Sequence, residues 1–199
     1  MISEVYGGGG NSGATLRQDF IELYNPTSSP ISLSGWSVQY ASATGTTWQV
    51  TVLNGTIAAK GYYLIQQAAG TGGTTNLPTP DATGTIAMSA TAGKVALCNS
   101  TIALTGTNPS ANTSVIDFVG FGTTANGFKG TGPATAPSNT NSIERKANAS
   151  SNTASMSTGG SDELAGNEYN SGNNSSDFVT RLPQAQNAAS QTEPVDPGA

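Results

Sequence analysis

The 199-residue sequence predicts an all-β fold, and three observations carry that reading. Its apolar residues fall in short runs separated by Gly, Pro, Asn, Ser and Thr, the usual punctuation of strands and turns. Several runs alternate apolar and polar side chains, as a strand with one buried face requires. No window shows a sustained helical period with caps.

The chain is organised around Asp19 to Tyr40, DFIELYNPTSSPISLSGWSVQY. Two apolar runs, Phe20 to Tyr24 and Trp36 to Tyr40, are separated by Asn25-Pro26, Ser-rich sequence and Ser34-Gly35, so two strands joined by turns are expected. In the second run Trp36, Val38 and Tyr40 alternate with Ser37 and Gln39, giving one apolar and one polar face. In the first, Ile21 and Leu23 share one face and Phe20, Glu22 and Tyr24 the other, which sets a carboxylate between two aromatics.

Taken in order, Ile2 to Tyr6 is the first strand and leads into the glycine run Gly7 to Gly13. No Gly-Lys-Ser/Thr follows and the next element is a strand, so this run is expected to be a flexible loop instead of a phosphate cradle. Thr47 to Leu53, with Trp48, Val50 and Val52 alternating, precedes Asn54-Gly55, a hairpin signal, and a short Thr56-Ile57. Ala59-Lys60-Gly61 turns the chain into a buried strand, Tyr62 to Gln66. Ala68 to Pro80 reads as an exposed loop, followed by strands at Thr85 to Met88 and Lys94 to Asn99, with Ala92-Gly93 as the turn between them. Ser114 to Phe121 is the most apolar strand of the second half. Asp117 sits in it on the face of Val115 and Val119, much as Glu22 sits in the first half. Such carboxylates accept bonds from loop amides or from an Arg, a structural role, or else bind a ligand or metal. Gly122 to Asn141 is a long polar loop, Ser142 to Lys146 a last paired strand, and Asp177 to Leu182 an edge strand or a strap. Residues 1–182 are expected to form one domain with two sheets face to face, and residues 183–199 a polar, Pro-containing tail or linker.

The ordered segments ISEV, DFIELYNPTSSPISLSGWSVQY, GKVALC, VIDFVGFGT, GTGPATAPSNTNSIERK and NSGNNSSDFVTRLPQAQN resemble the lamin tail domain family. They are more similar to its bacterial secreted members than to nuclear lamins, over roughly Ile2 to Asn187. The resemblance implies an immunoglobulin-like β-sandwich, here with long loops and an extended C-terminal segment. It also implies a binding and scaffolding module without a common enzymatic activity.

Composition narrows the function further. Charged residues make up 10% of the chain, against roughly 25% in average soluble proteins. Net charge is −5 and the seven Lys and Arg are scattered singly except for Arg145-Lys146, so the basic stripe that a nucleic acid requires is missing. Cys98 stands alone in the sequence, which leaves no intramolecular disulfide or paired-cysteine motif and marks it as a half-buried strand residue. The sequence holds no histidine, which removes Ser-His-Asp and Cys-His nucleophiles and His-ligated metals. The twelve acidic residues are dispersed and point to no carboxylate pair for glycoside hydrolysis. The chain is therefore expected not to be an enzyme. No stretch approaches the roughly 20 apolar residues of a membrane span. Met1 precedes the first strand directly and is read as a start codon placed before a mature domain.

One stretch has the composition of a calcium loop, Asp162 to Asp177, DELAGNEYNSGNNSSD. Calcium takes roughly six to eight oxygen ligands around a turn that Gly permits. Asp162, Asn170, Asn173 and Asp177 are the candidate ligands, Gly172 the bend, and Glu163 or Glu168 further charges. The alternative is an Asn, Ser and Gly-rich turn whose side chains bond their own backbone. No other cofactor is expected. Sequons at Asn54, Asn99, Asn112, Asn148, Asn173 and Asn174 are what chance produces in a chain rich in Asn, Ser and Thr.

Three functional readings follow, all extracellular or at a cell surface. The first is a non-catalytic binding or adhesion module with a protein or cell-surface partner. The second is a structural subunit that assembles with copies of itself through strand edges. The third is an accessory domain of a larger secreted nuclease or phosphatase. Recognition is expected in the loops Gly7 to Gly13, Ala68 to Pro80 and Gly122 to Asn141. Phe128 is their bulky side chain, either a ligand platform or the anchor of its own loop.

Overall fold

Every apolar run becomes a strand or a buried extended segment. The computed structural model describes residues 1–194, and within them the elements are β1 (Ile2–Tyr6), β2 (Gln18–Tyr24), β3 (Ile31–Ser32), β4 (Ser37–Ser42), β5 (Gln49–Val52), β6 (Thr56–Ile57), β7 (Tyr62–Ala69), β8 (Ala82–Thr83), β9 (Gly93–Cys98), β10 (Val115–Phe121), β11 (Ser142–Arg145), the single-turn helices α1 (Thr153–Met156) and α2 (Asn174–Asp177), and β12 (Phe178–Arg181). A six-stranded sheet runs β12-β11-β1-β2-β7-β8 and a four-stranded sheet β10-β9-β4-β5, with a small β3-β6 pair beside them. Neighbours are antiparallel except β7 and β8. The two large sheets pack face to face as an immunoglobulin-like β-sandwich, as the sequence predicts. Burying their facing rows removes Val5, Ile21, Leu23, Ile65 and Ile143 of one sheet and Val38, Tyr40, Val95, Leu97, Val119 and Phe121 of the other from water. At about 25 cal/mol per Å² this shared core is the main favourable contribution to folding.

The outer faces are buried as well. Beyond the six-stranded sheet, Phe20 packs on Tyr6 at 5.7 Å and on Leu64, and Tyr24 on Tyr62 at 5.1 Å. Coverage on both sides explains why β2 carries apolar residues on both faces. The polar face of β4 is roofed by the segment after β9: Ser37 Oγ donates to Ser100 O at 2.6 Å and Gln39 Nε2 to Ile102 O at 3.0 Å. Trp48, Phe118, Leu104 and Cys98 pack on this outer side. Burial of Cys98 is complete, and it lifts the thiol to about 11.

The structure departs from the sequence reading at several places. Thr56-Ile57 does not form a hairpin with the preceding strand. The Asn54-Gly55 turn, with Gly55 at φ +79°, carries β6 away to pair with β3. Thr85 to Met88 is extended but joins no ladder, because the Ile86 and Met88 amides bond Gln67 Oε1 (3.1 Å) and Asp19 Oδ2 (2.9 Å). The strand there is β8 instead. A bulge between Val115 and Asp117 keeps Asp117 beside Val119 on the inner face and turns Val115 to the outer cluster.

The glycine run is packed backbone to backbone. A Cβ on Gly9 would lie 2.0 Å from the carbonyl carbon of Gln18, and one on Gly10 2.2 Å from Gly70 Cα. These glycines serve close approach. Finally, the segment after Pro183, expected to lead away as a linker, lies back across the six-stranded sheet as far as the buried Glu193. The last five residues of that expected tail, 195–199, lie outside the described residues.

Candidate functional site

At one end of the sandwich the two sheets are tied by charge. The bulge in β10 turns Asp117 inward, and Arg145, at the end of β11, reaches it with Nη2 2.8 Å from Oδ2. The side chains are 1% and 4% exposed. Lys129 Nζ lies 3.1 Å from the other oxygen, and the Ile2 amide donates to Oδ2 at 2.9 Å. Arg145 also donates through Nε to Ile2 O (2.8 Å) and through Nη1 to Tyr169 O (2.9 Å), and stacks over Phe178 at 4.6 Å. Burial works against the Asp117 carboxylate, but Arg145 and Lys129 outweigh it and hold the carboxyl below its usual range. An acid so locked is a poor base; it ties β10 of one sheet to β1 and β11 of the other.

Beside this lock the sandwich opens into a cleft of about 220 Å³ lined by Pro26, Ile31, Trp36, Leu97, Ile116 and Asp117, among others. Trp36 comes from the end of the turn before β4, and Ile116, 46% exposed, is pushed out by the β10 bulge. Its walls are mainly apolar, and its acid is already neutralised.

A second constellation lies on the outer face of the six-stranded sheet. Glu4 of β1 stands opposite Glu144 of β11 on one side and Glu22 of β2 on the other, so three carboxyls line up across three strands. All are buried. Ser142 Oγ donates to Glu4 Oε1 and Ser3 Oγ to Glu22 Oε1, both at 2.5 Å, and Asn167 Nδ2 to Glu144 Oε1 at 3.0 Å. The cation among them, Arg181, approaches Glu144 Oε2 at 2.8 Å. Burial, then the neighbouring Glu144, lifts Glu4 to about 8; burial, then Glu4, lifts Glu22 well above the usual range. Glu144 is raised by burial against the pull of Arg181.

Of the residues singled out in the sequence, Glu22 and Asp117 have the hydrogen-bonded surroundings expected of structural carboxylates. The four candidate calcium ligands each make hydrogen bonds, Asp177 and Asn170 among them within their own turn. Asp177 Oδ1 accepts from Ser171 N (2.8 Å) and Oγ (2.6 Å). Asn173 Oδ1 accepts from Thr131 N at 3.2 Å, and Asn170 Oδ1 from Gly172 N at 3.3 Å. Asp162 bonds Ser155 Oγ at 2.6 Å, beside α1. Among the described residues no three Asp, Glu, Cys or His side chains converge as metal ligands.

Sequence reasoning missed the roles of Glu4, Glu144, Arg145 and Arg181. The readable signal was a glutamate beside a core residue in each of the runs ISEVY, DFIELY and SIER. Of the expected recognition loops, Gly122 to Asn141 is stapled by Asn174, whose Oδ1 accepts from Gly120 N (3.0 Å) and Lys129 N (2.9 Å). Phe128 in this loop is half-buried.

Among the described residues no helix is long and apolar enough to cross a membrane. No curated protein and no solved structure matches the chain. The model of the Lamin Tail Domain family matches residues 1–123, from β1 past the end of β10. That span includes both sheets' central strands, the bulge at Asp117 and all of the Trp36 cleft's lining but Asn170, and on this match the chain belongs to the lamin tail domain family.

Proposed function

We propose that the chain is a non-catalytic recognition module of the lamin-tail type that works outside the cell or on a cell surface and takes a protein partner. The observation that carries this reading is the cleft at Trp36, Ile31 and Ile116, an apolar hollow of about 220 Å³ whose acid is locked by cations. Aromatic anchors and pockets of this kind dominate the energetics of protein interfaces. A surface of few charges held soluble by Ser, Thr and Asn suits such a setting.

A second reading, assembly with further copies of the chain, is favoured by β5. It ends the four-stranded sheet, and among the described residues its backbone bonds only β4. Residues 23–59 carry no charged side chain, and Val52 is 50% exposed. Natural edges are usually guarded by charge, Pro or a bulge. The opposite edge, β10, is covered by Asn174 and by Ala134.

Sedimentation velocity at several concentrations, combined with binding to intact cell surfaces, distinguishes the two. The recognition reading expects a monomer whose binding is lost in Trp36→Ala and Ile116→Ser. Assembly that grows with concentration and disappears in Val52→Lys supports the second reading. A monomer whose surface binding survives both cleft substitutions overturns the first.

A further inference from the structure

We propose that Gln184–Glu193 is a pH-gated strap, closed over the outer face of the six-stranded sheet in acid and released as the medium turns alkaline, baring Glu144, Glu4 and Glu22. The strap lies directly on that row. Gln184 N donates to Glu4 Oε1 at 3.2 Å and Gln186 N to Glu22 Oε2 at 2.6 Å. Its far end brings a fourth buried carboxyl, Glu193, which accepts from Tyr62 OH (2.7 Å), Gly166 N (3.2 Å) and Gln186 Nε2 (2.7 Å).

The charges facing this site are unequal. β1, β2, β11 and the strap each contribute a glutamate, while β12 contributes the guanidinium of Arg181, which also bonds Gln184 Oε1. Tyr24 and Tyr62, from β2 and β7, add neutral hydroxyls. At the margins, Glu163 accepts from Gln184 Nε2 (3.3 Å) and Asp81 from Ala188 N (2.9 Å). The three carboxylates of the row, with one guanidinium among them, cannot all be ionised out of water, since like charges on paired strands repel and the interior screens them poorly. The closed form therefore holds protons that an opened, hydrated row gives up.

The sign follows from linkage. Carboxyls raised by burial keep their protons when the strap is closed and release them near the ordinary value of 4.5 when it is open. Closure is then strongest below that value and weakens as pH climbs toward the Glu4 value of about 8. The strap is the covering segment that can part without breaking a sheet. β1, β2 and β11 are laddered on both sides, whereas the strap joins no ladder and follows Leu182, which is 68% exposed.

The test is hydrogen exchange on the full chain, with rates for the peptide spanning Gln184–Glu193 corrected for intrinsic pH dependence. From about pH 5 to about pH 9 its protection should fall by about tenfold or more while the amides of β1 and β2 stay protected. The double variant Glu4→Gln, Glu22→Gln should keep the strap protected at the alkaline end. If that variant does not fold, each single variant should move the opening midpoint to higher pH. Unchanged protection across the range, loss in step with β1 and β2, or midpoints unmoved by the Gln variants would overturn the strap.

Discussion

Asp117 and Glu22 occupy similar places, each a buried acid between apolar neighbours in a strand, one in each sheet, and the fold treats them in opposite ways. Asp117 points inward at the end of the sandwich, where β11 delivers Arg145 and the following loop of β10 delivers Lys129. It is held as a carboxylate. Glu22 points outward into a row where the next strands deliver Glu4 and, beyond it, Glu144. It is pushed toward the neutral acid. Both are buried, so burial alone does not decide the charge of an interior acid; the sign of the neighbours that topology supplies decides it.

The largest test of this contrast is Arg145→Met, which leaves Asp117 buried without its main partner. It should cost about 3–5 kcal/mol of unfolding free energy, read by urea denaturation. Adding Asp117→Asn should recover part of that loss, and a small effect of Arg145→Met would remove the inner half of the contrast.

The outer half predicts a smaller effect of the opposite sign. Glu4→Gln should stabilise the chain by on the order of 1 kcal/mol at alkaline pH and change little in mild acid, because wild-type Glu4 is already protonated there. The wild-type melting midpoint should accordingly decline as pH rises from about 4.5 toward about 8. In stronger acid it should decline again, as Asp117, held low in the folded state, takes up a proton and its stabilisation is lost.

The smallest effect sharpens the same point. Lys60 and Glu168 are 2.7 Å apart, closer than Arg145 and Asp117, but their side chains are 34% and 44% exposed. Lys60→Ala should therefore change stability by less than about 1 kcal/mol. A larger loss would mean that distance, and not removal from water, sets the worth of an ion pair in this chain.

The strands were largely legible because their cues are local. Ile2 to Tyr6 becomes β1 with unchanged bounds, and the alternation of Trp36, Val38 and Tyr40 placed their face on the core. The misreadings share one cause. Thr85 to Met88 looks like a strand, but its amides bond the side chains of Asp19 and Gln67, which are distant in sequence. The glycines at 7–10 look flexible until Gly70 and Gln18 close on them. The polar composition after Pro183 suggests a solvated tail, and no periodicity announces that its amides will meet Glu4 and Glu22.

What the order of residues settles here is the β class, the family likeness and the absence of histidine chemistry, since each depends on side-chain type and spacing along the chain. Which acid meets an arginine and which meets other acids was decided only when β11 came to lie beside β1 and the strap crossed them. Charge state depends on neighbours through space, and these come from other elements of the chain, Arg145 to Asp117 across a separation of 28 and Ser142, beside Glu144 on β11, to Glu4 across 138.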